Sequence, residues 1–126
     1  MISIVTINFN AANVTLRLIR SLSLQSDSDF KLYVIDNDSE GSDRKTLRKA
    51  ISDCPIAIEL IESDINGGFS AGNNLGIRRA MDNGAQWIVL LNNDAVVSRD
   101  FVKCLREQLP SDPGIVGLPI QERERI

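Results

Sequence analysis

Four polar clusters hold most of the residues in this chain that could bind or react: Asn8-Phe9-Asn10, Asp36-Asn37-Asp38-Ser39-Glu40-Gly41, Glu62-Ser63-Asp64-Ile65-Asn66-Gly67-Gly68, and Asn92-Asn93-Asp94. The chain contains no histidine, so any general base must be a carboxylate. Cys54 and Cys104 are the only cysteines and lie far apart in sequence. Without histidine to join them they do not suggest a zinc site or a disulfide framework, and both read as reduced thiols. Hard divalent ions remain compatible with this set, because they take carboxylate and phosphate oxygens together while keeping several waters. If the chain binds a phosphate, Asp94 is the natural residue to hold such an ion beside it.

These clusters must be carried by something, and the fourth shows how. Trp87-Ile88-Val89-Leu90-Leu91 is uninterrupted apolar sequence that breaks at once into Asn92-Asn93-Asp94. A short apolar run bounded by polar turn residues suits a strand buried on both faces, as in a parallel sheet covered by helices. Asn-Asn-Asp also suits a turn that caps a following helix, so the cluster alone does not decide between site and turn.

The same pattern recurs along the chain. Residues 2–8 form a β-branched run ending in Asn8-Phe9-Asn10, and Val14, Leu18, Ile19 and Leu22 place an amphipathic helix from about Ala12 to Leu24. Lys31 to Ile35 reads as the second strand, closed by Asp36 to Gly41. Ser42 is the expected cap of a helix beginning near Asp43, with Leu47, Ala50 and Ile51 as its stripe and Pro55 as its stop. Ile56 to Ile61 is the third strand. A helix over Phe69 to Met81 carries Leu75, Ile77, Ala80 and Met81, and contains Gly72 and Gly76, each costing about 1 kcal/mol relative to Ala. The fourth strand is Gln86 to Leu91, and Ser98 is the expected cap of a helix from Arg99 to Leu109 with Phe101, Val102 and Leu105 buried. Gly114 to Ile120 begins a fifth strand, followed by a charged tail at 121–126.

Length and composition bound the rest. At 126 residues, with 43% hydrophobic and 25% charged residues, the chain reads as one ordinary globular unit. No apolar run reaches the roughly 18 to 20 residues needed to span a bilayer, and Met1 leads directly into a strand rather than a signal peptide. The expectation is a soluble cytoplasmic protein. A net charge of −3 argues against general affinity for nucleic acid, which requires clustered basic charge.

Alternating strands and helices at this spacing argue for right-handed βαβ units, a mostly parallel sheet and helices on both faces, a Rossmann-like α/β layer. All four clusters then gather along the carboxyl edge, where open α/β sheets bind ligands. In the common order three-two-one-four, the switch point falls between strands one and four. A dinucleotide fold or a P-loop would need glycine after the first strand, but Asn8-Phe9-Asn10-Ala11-Ala12 has none.

Together, Thr6-Ile7-Asn8-Phe9-Asn10, Val34-Ile35-Asp36-Asn37-Asp38-Ser39, Asn66-Gly67-Gly68-Phe69-Ser70-Ala71-Gly72-Asn73-Asn74-Leu75-Gly76 and Leu90-Leu91-Asn92-Asn93-Asp94 resemble the amino-terminal half of family 2 glycosyltransferases. The resemblance runs from about Ile2 to Ile120 and is closest to the rhamnosyltransferase-like branch. It implies a GT-A fold and a nucleotide-sugar-binding half domain over 1–120. It also implies a nucleotide site in which Thr6 and Asn8 line the pocket and Asp36 accepts a hydrogen bond from the base. Asn37 and Ser39 would shape the same loop, Gly68, Gly72 and Asn73 would line the sugar-nucleotide side, and Asn92 would complete the nucleotide-binding set in the loop before the metal ligand Asp94. Asp36 could otherwise be a turn-forming Asp, and the glycines could serve helix-to-sheet packing. Asn92-Asn93-Asp94 takes the place of the family's Asp-any-Asp motif, with Asn at its first position.

The resemblance further implies an inverting transferase that moves a sugar, with rhamnose as one candidate, from a dTDP- or UDP-linked donor to a saccharide or lipid-linked acceptor. Mg²⁺ or Mn²⁺ would sit on the diphosphate. Family members supply the catalytic base from the second half of the domain, so none is assigned in this chain, which reads as truncated and poorly active alone. Peripheral association of a full enzyme with the membrane and homo-oligomer formation are further expectations. The alternatives are a nucleotidyltransferase, which would want a glycine-rich basic loop after the first strand, and a non-catalytic nucleotide-binding or interaction module.

Overall fold

The structure, a computed structural model, describes residues 1–117. In chain order its elements are β1 (Ile2–Asn8), α1 (Ala12–Ser23), β2 (Phe30–Asn37), α2 (Gly41–Ser52), β3 (Ile58–Ser63), α3 (Gly68–Asp82), β4 (Trp87–Leu90), α4 (Phe101–Gln108) and β5 (Gly114–Gly117). The strands form one five-stranded sheet in the order β3-β2-β1-β4-β5. Every pairing is parallel, with Asn8 opposite Asp36, Asp36 opposite Glu62 and Val5 opposite Leu90. The expected α/β layer and the order three-two-one-four are therefore present.

Strand side chains alternate across the sheet, and the two faces bury different partners. Ile2 and Ile4 of β1, Leu32 and Val34 of β2 and Val89 of β4 pack with Leu18, Ile19 and Leu22 of α1, Leu47 of α2 and Val102 of α4. Val5, Tyr33, Ile35 and Ile88 turn the other way, against Ala80 of α3. Each fully buried leucine on these faces contributes about 1.5–3 kcal/mol relative to an exposed one, and this burial joins the helices to the sheet. α3 approaches unusually closely. A Cβ at Gly76 would lie 2.5 Å from Cγ1 of Val5, so the glycine that weakens the helix locally is required by the packing.

Several expected boundaries move, each for a local reason. β3 begins and ends two residues later, because its register carries Ser63 opposite Asn37 at the end of β2. β4 ends at Leu90, although Leu91 N–H still donates to Val5 O at 3.0 Å. Neither Ser42 nor Ser98 caps a helix through its side chain; Glu40 and Asp100 flank the starts of α2 and α4. Met81 is 61% exposed rather than buried, because Gly72, Asn73, Gly76 and Ala80 form the inner face of α3. Phe101 and Leu105 are only half-buried, and Cys104 is exposed. The expected continuation of β5 to Ile120 and the tail at 121–126 lie outside the described residues. Among the described residues no helix is long and apolar enough to cross a membrane.

Candidate functional site

The pleat that sorts the core also sorts the polar tips. In β1, Thr6 and Asn8 continue the face of Ile2 and Ile4, whereas Ile7 continues that of Val5. In β2, Asp36 follows Val34 and Asn37 follows Ile35. Each strand end therefore sends one residue toward α1 and α2 and the next toward α3.

On the α3 side lies a cleft of about 410 Å³, bounded by Ile7, Phe9, Ala11, Asn37, Asn66, Gly68, Phe69, Asn92 and Asn93. It opens at the carboxyl edge where β1 lies beside β4, the switch point at which such sheets take ligands. Phe9 and Phe69 are 50% and 59% exposed and offer apolar ring faces, while Asn37, Asn66, Asn92 and Asn93 offer amide donors and acceptors. The lining contains no charged side chain. Local geometry explains why glycine is needed here. Gly68 has φ +88°, a conformation L side chains rarely adopt; its carbonyl accepts from Asn37 Nδ2 at 3.2 Å, and its N–H donates to Asn66 Oδ1 at 3.0 Å. A Cβ at Gly72 would lie 2.9 Å from both Asn37 Nδ2 and Ile7 Cδ1, so Gly72 supports the cleft from beneath.

On the other side is a buried hydrogen-bonded network. Asn8 Nδ2 donates to Asp36 Oδ1 and to Asp43 Oδ2, both at 2.9 Å, and lies 3.3 Å from Ser39 Oγ. Ser39 donates to Asp36 through its hydroxyl at 2.6 Å and its N–H at 3.3 Å. Arg44 Nε approaches Asp36 Oδ2 at 2.5 Å, while its Nη1 pairs with Asp64 at 3.1 Å and another of its nitrogens donates to Ser63 O. Thr15 Oγ1 donates to Asn8 Oδ1 at 2.7 Å and accepts from Asn93 Nδ2 at 3.1 Å. The tips of β1, β2 and β3 and the loop after β4 are thus tied together.

Asp36 is fully buried. Burial pushes its carboxyl pKa up, but the hydrogen bonds from Ser39, Asn8 and Arg44 outweigh it and hold the group below its ordinary 3.8. A carboxylate has about four acceptor positions, and Asn8, Arg44 and the hydroxyl and N–H of Ser39 occupy them. A base could reach Asp36 only by displacing one of these donors.

Of the residues singled out from sequence, Asn37, Gly68 and Asn92 border the cleft and Gly72 underlies it. Thr6, Asn8, Asp36 and Ser39 do not border it; they are buried among the residues on the α1 and α2 side. Asn73 is also buried and outside the lining. Sequence reasoning missed Phe9, Asn66 and Phe69 as cleft walls, and Thr15, Asp43 and Arg44 as network members. Thr15 had a visible signal, being the polar member of α1's otherwise apolar buried stripe of Ala12, Leu18, Ile19 and Leu22.

Asp94 is exposed in the turn directly after Asn92 and Asn93. Among the described residues no group of three or more Cys, Asp or Glu side chains gathers into a ready-made metal cage. One exposed carboxylate next in sequence to two residues of an uncharged cleft suits Mg²⁺ or Mn²⁺ shared with substrate phosphates, the way such ions are commonly held. The donor set therefore fits an ion that arrives with its ligand.

Known proteins share this fold. Residues 1–349 of TarS from S. aureus, solved in complex with UDP-GlcNAc, superpose with a TM-score of 0.72 at 16% identity, over 84% of this chain and 30% of that one. The mannosyltransferase PcManGT from Pyrobaculum calidifontis, solved with GDP-Man and Mn²⁺, superposes with a TM-score of 0.67 at 19% identity, over 75% of this chain and 28% of that one. An uncharacterized protein of Mycobacterium tuberculosis is 43% identical over 53 residues, which are 41% of this chain and 20% of that protein. The chain thus spans about a fifth of the curated relatives it matches. The family model for glycosyl transferase family 2 matches residues 3–124, nearly the whole chain, and the chain belongs to that family.

Proposed function

We propose that the chain forms the nucleoside-diphosphate-sugar donor site of an inverting glycosyltransferase, in which an acceptor hydroxyl displaces the nucleoside diphosphate from the anomeric carbon. The observation that carries this reading is the cleft at the β1/β4 switch point, walled by two exposed aromatic rings and four amides, with the exposed Asp94 next in sequence to two of those amides. Phe9 and Phe69 offer ring faces to the planar base or the sugar, a contact that needs no charge. Asn37 and Asn66 offer hydrogen-bond groups held in place by their bonds with Gly68. Asp36 ties down the end of β2 that presents Asn37. With no cation in the lining, a diphosphate needs positive charge from elsewhere. Asp94 would hold the Mg²⁺ or Mn²⁺ that neutralises the leaving diphosphate as the glycosidic bond breaks.

A dTDP- or UDP-linked donor, rhamnose as the transferred sugar and a saccharide or lipid-linked acceptor are the finer parts of the proposal, and they rest on the motif resemblance. So does a cytoplasmic location, with the full enzyme peripheral on the membrane. TarS with UDP-GlcNAc and PcManGT with GDP-Man support a nucleotide-sugar donor in general.

Calorimetric titration with UDP, dTDP and GDP, with and without Mn²⁺, tests the reading. The expected result is nucleotide binding that Mn²⁺ strengthens and from which Asp94→Ala removes the Mn²⁺-dependent part. Absence of binding to every nucleotide overturns the donor site and favours an interaction module.

A further inference from the structure

The network beneath the cleft has a direction, and two carboxylates set it. Asp36 and Asp43, when ionised, can only accept hydrogen bonds. Asn8 Nδ2 stands 2.9 Å from an oxygen of each, so both of its hydrogens are committed and its amide cannot turn over. Asn8 Oδ1 is then obliged to accept, and the Thr15 hydroxyl, 2.7 Å away, gives it the only proton it has. What remains on Thr15 Oγ1 is lone pairs, which accept from Asn93 Nδ2 at 3.1 Å. Turning the Asn93 amide over would set its oxygen against an oxygen with no proton to offer. Asn93 therefore presents Oδ1 as its free end, with no hydrogen-bond partner among the described residues, in a side chain that also lines the cleft. The next residue is Asp94.

We propose that Thr15 is a positioning residue for the donor site: it holds Asn93 so that Oδ1 joins the Asp94 carboxylate as a second oxygen donor for the divalent ion. Thr15 is fully buried on α1 and acts only through Asn93. The inference rests on the donor-site reading above and adds to it a source for the orientation of the loop. It also gives the second Asn of Asn92-Asn93-Asp94 a role distinct from the first: Asn92 lines the cleft, whereas Asn93 both lines it and is anchored below it. Hard cations accept amide carbonyl oxygens as well as carboxylates, so the pair suits Mg²⁺ or Mn²⁺.

The test compares the wild-type chain with Thr15→Val, Thr15→Ser and Asn93→Ala. Valine keeps the shape of threonine and removes both hydrogen bonds, whereas serine keeps the hydroxyl. UDP is titrated calorimetrically with Mn²⁺ and with EDTA. Thr15→Val should lower the Mn²⁺ enhancement of UDP affinity by about tenfold, with UDP affinity in EDTA unchanged, and Thr15→Ser should keep the full enhancement; Asn93→Ala should lower the enhancement by the same factor in addition to whatever its lost cleft contact does to affinity in EDTA. Without metal or nucleotide, the Asn93 side-chain amide resonances should move to solvent-like positions and exchange faster in Thr15→Val. A Thr15→Val chain that is less stable yet keeps the full Mn²⁺ enhancement overturns the inference and leaves the donor site standing. If circular dichroism shows Thr15→Val unfolded, Thr15→Ala, which also removes the hydroxyl, decides by the same two titrations and the same Asn93 amide resonances. A wild-type chain that binds no nucleotide overturns the donor site and this inference with it.

Discussion

Thr6 and Asp36 lie on the same face of the sheet, both fully buried, and their polar atoms meet opposite fates. The Thr6 hydroxyl is the one buried side-chain polar atom without a partner among the described residues. A buried unsatisfied group costs about 1–3 kcal/mol. Thr6→Val keeps the shape and removes that cost, so urea unfolding should show a gain of roughly 1 kcal/mol; a loss of stability would mean that the hydroxyl has a partner. Asp36 is satisfied four times over, and its stabilisation depends on pH. Because its folded pKa lies below the ordinary 3.8, its contribution is complete above that value and disappears as pH falls through the lower, folded one. Arg44→Met should therefore lower the thermal midpoint at pH 7, and the deficit relative to wild type should shrink below pH 3.8, followed by circular dichroism. An equal deficit at both pH values would show that Arg44 acts through packing alone.

At the scale of elements, two helices are capped by residues from elsewhere. Asp43, in the first turn of α2, accepts from Ala12 N–H at the start of α1 at 2.9 Å, a carboxylate at the positive end of a helix. Gln25, just beyond α1, accepts from Val102 N–H at the start of α4 at 3.0 Å and donates to Ser98 O at 2.6 Å. Gln25→Ala should cost about 1 kcal/mol or somewhat more, the usual loss of a cap. Ser98→Ala should stay within about 0.5 kcal/mol, as measured by denaturant unfolding of both variants. The reverse ranking would restore Ser98 as the cap. This contrast shows what was legible. Apolar runs and helical stripes announce strands and helices locally, and their alternation implied the parallel sheet and its order. Ser42 and Ser98 had the local signature of caps, but the groups that satisfy α1 and α4 come from residues 31 and 77 positions away, which no local pattern reveals. The polar tips were legible as a group at one edge; which tip residue meets the cleft depends on the pleat and on Arg44 and Thr15 arriving from two helices.

At the scale of the molecule, the two sheet edges are treated differently. β3 carries Glu59 and Glu62, paired with Lys31, Arg79, Arg44 and Arg48, charges that discourage strand addition. Among the described residues β5 is four long, Gly-Ile-Val-Gly, without charge, and Ile115 is 52% exposed. Sedimentation velocity should show association that grows with concentration and is suppressed by Ile115→Lys; a single monomer boundary at high concentration would refute it. The central position of β1 has a consequence for how the molecule comes to exist. β1 contacts β2 across 28 residues and reaches the start of β4 only across 85, and closing the longer loop is entropically dearer and slower. Synthesis proceeds from the amino terminus, so β1 and β2 can pair while the opposite edge of β1 still waits for β4. That edge stays open until Leu90 has emerged, and the cleft beside it cannot exist before then. The chain therefore acquires its half-sheet first and its cleft with the last central strand, so that a chain stalled before Leu90 would expose an apolar strand edge before the cleft had formed.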